Sequence, residues 1–127
     1  MVFKIINATE AKPGTNIIVD GIACTVRSND ISKTGKHGHA KCRIEAISII
    51  DGKKKVIVVP GHERIEVPLI EKRKCQILNI SGDKGSVMDL ESFETLEIAL
   101  DPNAKVNEGD QAEYWEIGEN KIIKRKL

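Results

Sequence analysis

The sequence has almost no aromatic residues: one Trp, one Tyr and two Phe in 127 positions. A strand surface that stacks nucleobases needs several rings over a basic groove. The second half offers only Phe93, Tyr114 and Trp115 on a net acidic background, and each ring is expected to pack inward. No apolar run approaches the roughly 20 residues of a membrane-spanning helix, so no membrane partner is expected. Residues 1–7 lack the long apolar run and cleavage site of a secretory leader. Cysteine is limited to Cys24, Cys42 and Cys75, an odd, widely spaced set that makes no disulfide framework. They are expected to be small buried apolar residues with reduced thiols, in a cytoplasmic protein. Helical periodicity nowhere exceeds two turns; residues 103–110 have room for one turn at most.

What remains is a strand pattern. Residues 17–19 and 22–26 flank Asp20-Gly21, a dipeptide suited to the positive φ angles of a tight hairpin. Residues 44–50 and 53–59 flank Asp51-Gly52 in the same way, and Pro60-Gly61 ends a strongly β-branched run. Residues 65–67 make one more short strand. Four to five short strands over residues 1–68 predict a small SH3-like barrel. Residues 69–127 carry five strand signals, at 75–80, 86–90, 95–100, 112–117 and 121–124, with glycine turns between most of them. These predict an OB-like Greek-key barrel. The expected fold is all-β, two small barrels in tandem.

Charge is unevenly placed. Residues 1–68 carry 11 basic against 7 acidic residues, and residues 69–127 carry 9 against 12. Arg27, Lys33, Lys36, Lys41 and Arg43 face a single acid, Asp30, within residues 27–43. Such a focused patch attracts polyanions locally; a solvated charged hairpin is the plainer reading. At its centre runs Ser32-Lys33-Thr34-Gly35-Lys36-His37-Gly38-His39-Ala40-Lys41. Glycine admits backbone angles closed to other residues, so Gly35 and Gly38 predict a tight turn presenting Lys36.

A phosphate-binding loop does not fit Gly35-Lys36, because Asp30 and His37 stand where that motif requires Gly and Ser or Thr. His37, His39 and Cys42 offer metal-ligand chemistry, but ligands two apart across a glycine are poorly fixed and no fourth partner is near. No metal or cofactor is expected. A nucleophilic Lys36 would need a dry pocket with assisting acids, and no acid–base pair or triad stands out, so the chain is not expected to be an enzyme.

The run Thr34-Gly35-Lys36-His37-Gly38 resembles the modification loop of the hypusine-containing translation factor 5A family. The likeness extends to residues 12–21, to Glu66-Val67-Pro68-Leu69-Ile70-Glu71-Lys72-Arg73, to Ser81-Gly82-Asp83 and to Met88-Asp89-Leu90. The short N-terminus and compact second barrel look closer to archaeal than to eukaryotic members. The resemblance implies an SH3-like domain followed by an OB fold. It also implies that deoxyhypusine synthase modifies Lys36 with an aminobutyl group from spermidine. It further implies a factor that binds the ribosome, reaches the peptidyl-tRNA and promotes peptide-bond formation at stalls such as consecutive prolines. Lys33, Thr34, Gly35, His37, Gly38, His39 and Lys41 are then candidates for steadying the loop or touching RNA. The alternative is an RNA-binding module that works without modification.

Overall fold

The computed structural model describes residues 2–33 and 40–127. Among these the chain is all-β apart from one 3₁₀ turn, Ala8–Glu10, and no helix is long and apolar enough to cross a membrane. It divides into two compact units, Met1–Leu69 and Ile70–Leu127.

The first unit holds β1 (Val2–Asn7), β2 (Asn16–Val19), β3 (Ile22–Lys33), β4 (Ala40–Ser48), β5 (Lys54–Pro60) and β6 (Arg64–Pro68). Strands β2 to β5 form a four-stranded sheet in sequence order, and β1 pairs with β6 in a separate ribbon. Asp20 and Gly21 both take left-handed angles, φ 51° and 77°, so the β2–β3 turn twists with its strands and pairs Val19 with Ile22. Alternate residues of β2, β3 and β4, among them Ile17, Val26 and Ile44, close on Ala8, Ala11 and Ile65. Fully burying Ile17 or Ile44 contributes about 2 kcal/mol each. Two sheets around one small core make the SH3-like arrangement expected.

The second unit holds β7 (Glu71–Ser81), β8 (Lys84–Asp89), β9 (Thr95–Leu100), β10 (Gln111–Ile117) and β11 (Asn120–Lys126). Strands β7, β8 and β9 meander; β11 then runs parallel to β9, pairing Ile122 with Ala99, and β10 closes the barrel onto β7. That order is the five-stranded Greek key of an OB fold. Its core gathers Cys75, Ile77, Val87, Ile98, Tyr114 and Ile123.

Several expectations need correcting. The first unit has six strands: β1 forms where every residue but the half-buried Ile6 is exposed, so no alternation is visible. Strand β3 continues seven residues past Val26, through a polar stretch held by pairing with β4. Phe93 does not pack inward: it is 69% exposed in a turn at φ 61°. Tyr114 is buried as expected, and Trp115 is half-buried. All three cysteines are free and buried.

Candidate functional site

Strands β3 and β4 are the two arms that carry the segment 34–39. Their last pair is Lys33 with Ala40, preceded by Ser32 with Lys41, Ile31 with Cys42, Asp30 with Arg43 and Asn29 with Ile44. Lys36, with Thr34, Gly35, His37, Gly38 and His39, lies outside the described residues. Lys33 and Lys41 are described, and both are exposed. Directly paired residues share a face of the ribbon, so Lys41 and Arg43 stand on one face while Lys33 stands on the other. The basic cluster that looks continuous in sequence is split between two sides.

A bulge fixes which side is which. Val26 pairs with Ala46 and Ser28 with Glu45, leaving Arg27 as an extra residue. One inserted residue exchanges the faces of everything beyond it. Asn29 is thereby turned to the side of buried Ile44 and Cys42. Its Nδ2 donates to the carbonyl oxygens of Ala8 at 2.9 Å and Ala11 at 3.0 Å. The Ala8 N–H donates to Glu63 O at 2.9 Å, and the Gly61 N–H donates to Ala40 O at 2.7 Å. Both arms are therefore tied to the same buttress, the 3₁₀ turn and the Gly61–Glu63 connection. Sequence reasoning missed this: Asn29 belongs to no recognisable pattern, and Pro60-Gly61 marked only a strand end.

On the outward face, the Glu45 carboxylate receives Lys54 Nζ at 3.2 Å and Arg43 Nη1 at 3.1 Å. Lys54 first, then Arg43, holds this carboxyl below its ordinary range. Arg43 is thus partly neutralised, whereas Lys33 and Lys41 have no ion pair among the described residues.

The second unit contains a polar cluster of another kind. Asp89, 1% exposed, receives Arg73 Nε at 2.7 Å, the N–H groups of Glu91 and Ser92 at 2.8 and 2.9 Å, and the Tyr114 hydroxyl. Arg73 above all holds the Asp89 carboxyl well below the usual carboxylate range, against the opposing push of burial. Burial, and then Asp89, pushes the Tyr114 hydroxyl up. A carboxylate whose oxygens are already occupied is a poor general base; this cluster clasps β7, β8 and β10 together. Among the described residues no group of His, Cys, Asp and Glu is arranged to hold a metal ion.

Fold and site together define a two-unit β-barrel protein whose candidate site is a lysine-bearing hairpin, not an acid–base pocket. Residues 4–63 match the family model described as translation initiation factor 5A-like, N-terminal. The chain is 43% identical over 122 residues to translation initiation factor 5A of Metallosphaera sedula, covering 92% of this chain and 93% of that protein. It is 44% identical over 119 residues to the factor of the same name from Methanococcus vannielii, covering 93% and 91%. The solved eukaryotic translation initiation factor 5A from Methanococcus jannaschii superposes with a TM-score of 0.87 at 37% identity, over 98% of this chain and 94% of that one. The chain belongs to the translation initiation factor 5A family.

Proposed function

We propose that the chain is a cytoplasmic translation factor that acts on the ribosome after Lys36 is converted to hypusine. The observation that carries this reading is the run of residues 32–41, whose flanking arms pair as a β-hairpin anchored at its base. An aminobutyl extension lengthens the lysine and adds a second amine, producing a slender cation able to enter an RNA-lined cleft. Its ammonium groups would donate to phosphate and ribose oxygens of the peptidyl-tRNA end. The peptide bond is made by the ribosome, and the factor lowers the barrier by positioning and electrostatics, most where consecutive prolines stall synthesis. Lys33 and Lys41 would add phosphate contacts beside it. Deoxyhypusine synthase is the enzyme that would install the group, taking the aminobutyl unit from spermidine.

The test is the intact mass of the protein purified from its native cells, followed by peptide mapping. A gain of an aminobutyl or hydroxyaminobutyl unit on Lys36 supports the reading. Unmodified Lys36 in all native material overturns it and leaves the simpler RNA-binding module.

A further inference from the structure

We infer that the second unit meets RNA through the outward face of β7, β10 and β11, away from the groove that OB folds ordinarily use. That ordinary groove lies on the second and third strands of the barrel and the loops beside them. Here those strands are β8 and β9, and the face they turn outward pairs Ser86 with Glu97 and Met88 with Thr95. It has no aromatic ring, and Lys84 is its one cation. Of the eight acidic residues in 82–110, Asp89, Glu91, Asp101 and Asp110 pair with Arg73, Lys124 and Lys126 of β7 and β11. Asp83, Glu94, Glu97 and Glu108 have no ion pair among the described residues, against Lys84 and Lys105. A phosphate backbone would be repelled there.

The opposite side has the reverse charge. Seven of the nine basic residues in 70–127 lie on β7 and β11, the strands that flank β10. Trp115 pairs with Lys72, and Glu113 pairs with both Lys74 and Arg125, so these side chains share one face. Lys72, Lys74 and Arg125 are all exposed. Lys74 has no ion-pair partner among the described residues, and Arg125 keeps 65% of its side chain exposed despite its pairing with Glu113. Trp115 sits between the two strands, with Lys72 Nζ 4.9 Å and Lys124 Nζ 5.0 Å from its ring centroid. The electron-rich ring face holds these ammonium groups in place. Lys124 is itself committed to Asp101 at 2.6 Å, so Lys72 is the ring-held cation left available for a phosphate.

The unit is net acidic, yet Lys72, Lys74 and Arg125 share one sheet face with Trp115, whereas Arg73, Lys121 and Lys126 pair with residues of the other. Charge complementarity selects a polyanion, and the exposed cations Lys72, Lys74 and Arg125 on neighbouring strands fit a phosphate backbone. This inference goes beyond the proposed role of Lys36 and holds for the unmodified chain, so the two stand or fall separately.

The experiment uses the full-length, unmodified recombinant chain and a fluorescein-labelled single-stranded oligouridylate, titrated over a series of salt concentrations. Neutralising Lys72→Gln, Lys74→Gln and Arg125→Gln together is expected to weaken binding at least about tenfold at low salt. It should also lower the slope of log affinity against log salt by about 2, since each single-strand phosphate contact contributes about 0.7. Lys84→Gln on the β8–β9 side should change neither. Trp115 is the sole tryptophan, so its emission should shift as RNA displaces or recruits Lys72, giving a readout in the wild-type chain that needs no variant. An unchanged slope in the triple variant, an equal loss in Lys84→Gln, or a Trp115 emission indifferent to saturating RNA each overturns the assignment.

Discussion

Asn29 Nδ2 lies 2.9 Å from the carbonyl oxygen of Ala8, tying an arm of the lysine hairpin to the turn that follows the first strand. The same nitrogen reaches Ala11 O at 3.0 Å, and the amide's own oxygen is buried with no hydrogen-bond partner among the described residues. One side chain thus satisfies two carbonyls that no strand partner would reach.

Replacing Asn29→Ala strips the Ala11 carbonyl of its donor and leaves Ala8 O only the Ala11 N–H, and is expected to cost about 1–3 kcal/mol in urea unfolding. Asn29→Asp should cost more, because a carboxylate would face two carbonyl oxygens. A Tm for Asn29→Asp at or above that of Asn29→Ala would contradict the assigned bonding.

Gly61 is confined by close approach. A Cβ there would stand 2.9 Å from Thr9 Cγ2 and 3.0 Å from Ala40 Cβ, and the Ala40 methyl is fixed to the backbone of β4. Gly61→Ala is therefore expected to destabilise by about 1–3 kcal/mol. Pairing it with Ala40→Gly should recover part of that loss. Strict additivity of the two would show that they do not touch.

The Asp89 cluster predicts a stability plateau bounded on both sides. The Asp89 carboxyl is depressed in the folded state, so its contribution is present above the unfolded value of about 4 and lost as pH falls below it. The Tyr114 hydroxyl is raised, so its contribution is present below the unfolded value of about 10 and lost as pH rises above it. Asp89→Asn should cost about 3 kcal/mol at neutral pH and flatten the acid limb of stability against pH. Tyr114→Phe should flatten the alkaline limb and weaken the acid limb only in part, since the tyrosine hydroxyl is a lesser cause than Arg73 of the depressed Asp89 carboxyl. Parallel pH profiles for wild type and Asp89→Asn below pH 4 would rule this out.

The split of the hairpin cations gives a prediction for ribosome binding. Lys41→Gln with Arg43→Gln removes charge from one face, and Lys33→Gln removes it from the other. If one face meets ribosomal RNA, the salt dependence should fall by about one unit of log–log slope per contacting cation removed, and only for that face. Equal effects from both faces would mean that the cations act through diffuse attraction.

Local chemistry carried most of the second unit. Its five strands stand where the sequence pattern placed them, because most have one face in the core and the other in solvent; β11 is the exception, burying both Ile122 and Ile123. Asp-Gly at 20–21 likewise announced its hairpin, since the turn demands two positive φ angles in adjacent residues. Where the pattern failed, burial was not alternating: β1 has little core contact, and the far end of β3 is polar and held by pairing with β4.

The sequence by itself determined the all-β class, the reduced, buried cysteines and the lysine motif, because each depends on neighbours in the chain. Tertiary structure alone decided that Lys33 and Lys41 stand on opposite faces, that Asn29 and Gly61 brace the hairpin, and that Arg73, Asp89 and Tyr114 meet. It also decided that Lys72 and Lys124 flank the Trp115 ring. Those outcomes depend on strand register, and a single bulge at Arg27 is enough to reverse which side chains face the core.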